Sequence, residues 1–81
     1  MAAGLHYQLL LAMHNLCIVR EESAKTVDEI ARHTGIEAQR TRSILRELVN
    51  SGYVGDFVGD DGRERFFLTR LGIIKVCSLF T

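Results

Sequence analysis

The chain has 81 residues, enough for one small domain with a single core. Its 47% hydrophobic and 25% charged residues are typical of a globular protein, and its ten basic and ten acidic side chains cancel. A net charge of zero argues against indiscriminate coating of nucleic acid, which depends on neutralising phosphates, but it leaves binding through a local patch open. We therefore treat residues 1–81 as one domain.

Cysteine content and hydropathy bear on the compartment. Cys17 and Cys77 are too few and too far apart for a disulfide framework, and we expect them to be buried thiols. No secretory signal follows Met1, and no apolar run approaches the ~20 residues that a membrane span requires. These observations predict a cytoplasmic protein without membrane contact.

The first predicted element is a helix over residues 5–19. Its apolar residues recur at helical spacing and cover far more than one stripe, which predicts contact with two neighbouring elements. These residues are Leu9, Met13 and Leu16 on one stripe, Leu10 and Cys17 on another, and Leu11, Ile18 and Val19 beside them. The next segment, residues 20–25, is predicted to be a polar connector.

Two further helices are predicted around a tight turn. Thr26 and Glu29 have capping-box spacing, which starts the second helix, and Gly35 suits the left-handed position that ends it. The third helix is predicted over residues 37–50. Its apolar side is Thr41, Ile44, Leu45, Leu48 and Val49; its polar side is Gln39, Ser43, Arg46, Glu47 and Asn50, bordered by Arg40 and Arg42. This order predicts a helix-turn-helix, whose second helix can enter the DNA major groove.

After Gly52 the residue pattern changes to that of a hairpin. Residues 53–58 and 63–68 are predicted strands, and the Asp-Gly step between them is a strong turn signal. Thr69 is predicted to cap a last helix over residues 71–80, which is apolar on nearly every side.

Several short motifs, taken in order, resemble those of the winged helix-turn-helix superfamily of small prokaryotic regulators. They are Glu29-Ile30-Ala31, Thr34-Gly35-Ile36, Leu45 with Leu48, Gly52-Tyr53-Val54 and Leu68-Thr69-Arg70-Leu71-Gly72, and the resemblance spans about residues 5–75. It implies an α+β, mostly helical fold of three helices, a two-stranded hairpin wing and a C-terminal helix. It also implies a dimeric, repressor-like transcriptional regulator that binds double-stranded DNA in the nucleoid.

The resemblance places the polar side of the third helix at the groove. Arginine can bond the O6 and N7 of guanine in a fork, and glutamine can do the same for adenine. The predicted DNA-binding residues are Gln39, Arg40, Arg42, Ser43 and Arg46 on this helix, with Arg63 and Arg65 on the hairpin. The alternatives are a solvated helix face on which Arg42 and Arg46 pair with carboxylates, and hairpin charges that protect an edge strand from pairing.

Two features depart from the superfamily pattern. Glu37 stands where the third helix usually has Ser, Thr or Asp as its cap. Asp60 and Asp61 occupy the wing tip, where phosphates would repel them, so we expect Arg63 and Arg65 to contact the backbone while the tip stays clear. The acidic tip also leaves open a protein–protein interaction module without DNA binding.

The terminal helices carry more apolar surface than so short a chain should need. They predict a homodimer through the helices at 5–19 and 71–80, with mutual burial inside one chain as the alternative. A metal or redox trio of His14, Cys17 and Cys77 is the alternative to ordinary thiols. No catalytic constellation is recognisable, so we expect no enzymatic activity, no cofactor and no metal.

Overall fold

A computed structural model describes residues 2–78. Its helices are α1 (Ala2–Asn15), α2 (Val27–Thr34), α3 (Ala38–Asn50) and α4 (Arg70–Ser78), and its strands are β1 (Lys25–Thr26), β2 (Val54–Val58) and β3 (Glu64–Leu68). The strands form one antiparallel sheet in the order β1-β3-β2. The predicted order of three helices, a hairpin and a further helix is confirmed, and the predicted end of the last helix at Phe80 lies outside the described residues.

The core lies between the helices and one face of the sheet, here called the inner face, which carries Phe66 and Leu68. Both side chains are fully buried, and α1 contributes Leu9, Leu10 and Met13. Helix α3 buries Thr41, Ile44, Leu45 and Leu48, with Val49 half-buried, as its apolar side predicted. The buried position of α3 fixes which of its sides faces solvent.

Helix α1 ends four residues before the predicted end, because Cys17 adopts a left-handed conformation with a φ of 60°. The N–H of Cys17 donates to the His14 carbonyl (3.0 Å), and the N–H of Ile18 donates to the Met13 carbonyl (2.9 Å). These two bonds close a Schellman motif. Leu16 and Cys17 are consequently exposed, so the prediction that they lie on a buried face is wrong.

The segment predicted to be a polar connector contains a 3₁₀ turn, Glu21–Ser23, and the short strand β1. Lys25 pairs with Phe66, and Thr26 pairs with Arg65. Strand β3 is therefore central in the sheet, and a role for Arg65 in protecting a sheet edge does not fit the structure. A two-residue strand has no periodicity that a sequence could reveal.

The predicted capping box at the start of α2 is confirmed. The N–H of Thr26 donates to Glu29 Oε1 (3.0 Å), and the N–H of Glu29 donates to Thr26 Oγ1 (3.3 Å). The Thr26 hydroxyl also donates to Glu29 Oε1 (3.2 Å). The backbone bond from Thr26 is the main cause of a lowered pKa for Glu29. The two residues therefore stabilise the start of α2 together.

We expect Thr26→Ala to lower the free energy of unfolding by about 1 to 2 kcal/mol, because it leaves the N–H of Glu29 without its side-chain partner. Urea denaturation at neutral pH measures this loss. Because the folded pKa of Glu29 is lowered, the stability from its carboxylate is present above the ordinary pKa of 4.5 and is lost as pH falls through the folded value. Glu29→Gln should therefore show less acid destabilisation than the wild type; equal pH profiles would contradict this role.

Hydrogen bonds of the Thr69 hydroxyl join the end of α3 to the start of α4. Gly52 ends α3 with a φ of 86°, and its carbonyl accepts the Thr69 hydroxyl (2.6 Å). The same hydroxyl accepts a hydrogen bond from the N–H of Gly72 (3.1 Å). Thr69 therefore caps α4, as predicted. These hydrogen bonds join two of the predicted motifs, Gly52-Tyr53-Val54 and Leu68-Thr69-Arg70-Leu71-Gly72. The contact between them holds the hairpin and α4 against α3.

Candidate nucleic-acid interface

Helix α3 is presented to solvent by the turn that precedes it. Gly35 ends α2 with a φ of 74°, and its N–H donates to the Ala31 carbonyl (2.9 Å). Glu37 precedes α3 and makes no side-chain cap bond, in keeping with its poor capping character. The buried hydroxyl of Thr41 donates to the Ile36 carbonyl (3.3 Å) and ties the first turn of α3 to the core side. The opposite side of α3 therefore faces outward.

All five predicted DNA-binding residues of α3 are exposed: Gln39, Arg40, Arg42, Ser43 and Arg46. Three of them, Gln39, Arg40 and Ser43, line a shallow groove between α1 and α3. At one side of the groove His6 Nε2 lies 3.1 Å from Glu47 Oε1, which joins α1 to α3. The side chains of Arg42 and Arg46 lie toward the hairpin and are 53% and 52% exposed.

The arginines of α3 that lie toward the hairpin form a cluster with two of its carboxylates. Arg46 Nη2 lies 2.9 Å from Glu64 Oε1, and Arg46 Nη1 lies 3.6 Å from Asp56 Oδ2. Arg42 Nη1 lies 3.4 Å from the same Glu64 oxygen. We call these four residues the wing–helix cluster. Burial raises the pKa of Glu64, the neighbouring Asp56 raises it further, and Arg46 opposes both.

Asp56 and Glu64 were not among the residues predicted for the site. Their signal was the alternation of the strands: Asp56 shares the inner face with Val54, and Glu64 shares it with Phe66. Both carboxylates therefore point toward α3 at the end of the core. The alternative that Arg42 and Arg46 pair with nearby carboxylates describes the observed geometry, although about half of each arginine side chain remains exposed.

The two hairpin arginines lie in different places. Arg63 is exposed and lines a groove together with Arg42 and Glu64, so it belongs to the same surface as α3. Arg65 is opposite Phe57 in the sheet and alternates with Glu64, so it lies on the outer face. The structure does not bring Arg65 together with the arginines of α3.

The outer-face position of Arg65 is fixed by contacts with other elements. Its guanidinium lies 3.0 Å from Asp61 Oδ2, 3.9 Å from Glu29 Oε1 and 3.4 Å from the Ala24 carbonyl. Asp61 is itself a turn residue, since its Oδ1 accepts the N–H of Arg63 (3.0 Å), the first cause of its lowered pKa. Arg65 therefore links the wing tip to the start of α2.

The geometry of residues 2–78 does not support a metal or redox trio of His14, Cys17 and Cys77. Cys17 and Cys77 are both free and exposed, so the prediction of buried thiols is wrong. Within the same range no three His, Cys, Asp or Glu side chains group closely enough to hold a metal ion. No helix described is long and apolar enough to cross a membrane.

Several solved structures are similar to this chain. A candidate DNA-binding protein from Ralstonia eutropha JMP134 is 24% identical, with a TM-score of 0.78 over 94% of each chain. The DNA-binding TubR fragment from Clostridium botulinum is 18% identical, with a TM-score of 0.80 over 91% of each chain. MepR from Staphylococcus aureus, in its DNA complex, is 19% identical, with a TM-score of 0.74 over 90% of this chain and 60% of MepR.

No protein-family model matches the chain, and neither does any curated protein. At these identities the solved structures show the fold. The chain therefore has the winged helix-turn-helix fold that its motifs predicted.

Proposed function

We propose that this chain is a sequence-specific double-stranded DNA-binding protein, a repressor-like transcriptional regulator that reads the major groove with α3. One observation carries the proposal: α3 has its apolar side buried in the core and presents five exposed residues that can read bases or bind phosphates. These are Gln39, Arg40, Arg42, Ser43 and Arg46. The fold shared with MepR, which has been solved bound to DNA, supports the proposal.

The residues of the interface take different roles. Arg42 and Arg46 lie on the part of the exposed side of α3 that faces the hairpin, and we assign them to base edges. Arg63, exposed in the same groove as Arg42, is assigned to a phosphate. Arg65 can reach a phosphate only after leaving Asp61, so we expect a smaller contribution from Arg65 than from Arg63.

A homodimer through α1 and α4 is part of the proposal. The two helices pack on each other within the chain, yet Leu71 and Ile74, one turn apart on α4, stay 55% and 57% exposed. Tyr7 of α1 is 40% exposed. Pairing these surfaces would set two α3 helices about one DNA turn, ~34 Å, apart and would favour a palindromic site.

We expect Ile74→Glu to convert a dimer into a monomer, because it places a charge in the paired apolar surface. Sedimentation velocity measures the change. Val58→Glu is the matched control, since Val58 is 68% exposed on the hairpin and away from α4. A wild-type monomer at tens of micromolar, or a dimer that survives the Ile74 change, would contradict this interface.

The sequence preference is tested by selection of bound duplexes from a random DNA pool. We expect an enriched, palindromic motif and repression by occupancy of a promoter, with the protein in the cytoplasm at the nucleoid and without catalytic activity. Recovery of a pool with no enriched motif would contradict specific recognition.

The second candidate is a protein–protein interaction module. The acidic tip at Asp60 and Asp61, together with the carboxylates that face Arg42 and Arg46, favours it. Salt dependence separates the two candidates, since binding to phosphates releases counterions and weakens linearly with the logarithm of salt concentration. Absence of measurable binding to any duplex at low salt would favour the interaction module.

A further inference from the structure

The wing–helix cluster neutralises the part of α3 that faces the hairpin. Two guanidinium groups meet two carboxylates there, with N–O distances from 2.9 to 3.6 Å. The side chains of Glu64 and Asp56 are 18% and 30% exposed, so both carboxylates are less open to water than the arginine side chains that they face. The remaining surface of both arginines is open to a ligand from outside.

Phosphates and base edges meet this cluster differently. A phosphate approaching Arg42 or Arg46 is repelled by Asp56 and Glu64 at short range, and gains little from arginines that are already neutralised. A guanine edge is uncharged and only needs N–H donors. Each guanidinium has five donors, so an arginine held by a carboxylate keeps donors for a base.

The cluster also limits where the guanidinium groups can point. Arg46 donates to Glu64 through Nη2 (2.9 Å), and its Nη1 forms a looser ion pair with Asp56 (3.6 Å) on the adjacent strand. A side chain held in this way loses less rotational freedom when it meets a base edge. The hairpin thus aligns the arginines that α3 presents.

We infer that Asp56 and Glu64 are specificity-determining residues: they hold Arg42 and Arg46 for base edges and oppose attachment of α3 to phosphates of arbitrary sequence. The inference deepens the proposed function and rests on it. The hairpin then acts on recognition mainly through its inner face, by setting the charge and orientation of α3.

The test is the double variant Asp56→Asn/Glu64→Gln, which keeps the shape of both side chains and removes their charge. We expect about tenfold tighter binding to a scrambled duplex at about 50 mM salt, and a salt slope steeper by about 1.8 per protomer, ~0.9 for each arginine released to a phosphate. Affinity for the selected duplex should stay equal or fall, so the specificity ratio drops about tenfold or more. Fluorescence anisotropy with both duplexes measures these values.

The matched control is Glu22→Gln/Asp60→Asn, which makes the same change in net charge in the 3₁₀ turn and at the wing tip. We expect a much smaller gain, because screening limits the effect of distant charges. Equal gains in the two double variants, or an unchanged specificity ratio, overturn the inference while leaving the proposed function standing. If the wild type binds no duplex, the proposed function fails, and the inference fails with it.

The single variant Glu64→Gln tests the inference even if the double variant fails to fold. Because the fold raises the pKa of Glu64, ionising this carboxyl costs the folded state some stability, and an uncharged isostere should fold at least as well as the wild type. It should give about half of the increase in salt slope. A folded Glu64→Gln protein with wild-type binding to the scrambled duplex would also overturn the inference.

Discussion

Replacing Gly72 by alanine is expected to destabilise the protein strongly, although Gly72 lies inside a helix, where alanine is usually favoured by up to about 1 kcal/mol. A Cβ at this position would lie 2.1 Å from the Tyr53 carbonyl oxygen and 2.8 Å from Leu68 Cδ2. The oxygen belongs to backbone, so no rotamer change can relieve the contact. The steric term therefore outweighs the helix propensity.

Helix α4 cannot move away without further losses. Relief of the contact requires a shift of roughly 1 Å, and interiors are too closely packed to absorb it freely. The N–H of Thr69 donates to the same Tyr53 carbonyl (3.1 Å), and the Thr69 hydroxyl donates to the Gly52 carbonyl (2.6 Å). A displaced α4 would strain both bonds and uncover the buried Val76.

We expect Gly72→Ala to cost about 3 kcal/mol or more, a large part of the ~4 to 12 kcal/mol that a domain of this size has in total. Thermal and urea denaturation followed by circular dichroism measure the loss. Gly4→Ala is the matched control, since Gly4 also lies in a helix and has no atom within 4 Å of its Cβ position. A Gly72→Ala protein as stable as the wild type would show that α4 is not seated on Tyr53.

The local features that specify the fold were predictable because each depends on residues close in sequence. The capping box of Thr26 and Glu29 and the left-handed glycines at 35, 52 and 62 are short-range effects. The end of α1 was missed because Cys17, which is not glycine, takes the left-handed conformation, and its neighbour Ile18 is pulled into the core. Strand β1 was missed because its pairing with β3 is set by the tertiary fold.

The candidate site likewise has one part that depends on residues close in sequence and another that depends on the tertiary fold. The exposed residues of α3 follow from its helical period, so Arg42 and Arg46 could be identified from sequence alone. Their contacts with Glu64 join residues that are 22 and 18 positions apart in the chain. The helical period of α3 cannot reveal these contacts. The different positions of Arg63 and Arg65 likewise depend on the register of β2 and β3.

Replacing Arg42 and Arg46 together by alanine is expected to remove specific DNA binding while the fold persists. An arginine that bonds a base edge in a fork contributes about 1 to 3 kcal/mol of discrimination. The combined loss of about 2 to 6 kcal/mol corresponds to a fall in affinity of about 30-fold to more than 10⁴-fold for the selected duplex. Both side chains are about half exposed and belong to the hydrophilic side of α3, so the core should stay intact.

The control must separate a lost DNA contact from a lost positive charge and from a disturbed hairpin. Arg20→Ala/Arg70→Ala makes the same charge change at exposed positions outside α3 and should weaken binding much less. In the Arg42/Arg46 double variant, Glu64 and Asp56 lose the arginines that face them and repel each other, which can strain the hairpin. Adding Glu64→Gln removes this repulsion. If this triple variant regains the affinity of the wild type, α3 does not read DNA through these arginines and the weakness of the double variant comes from the wing.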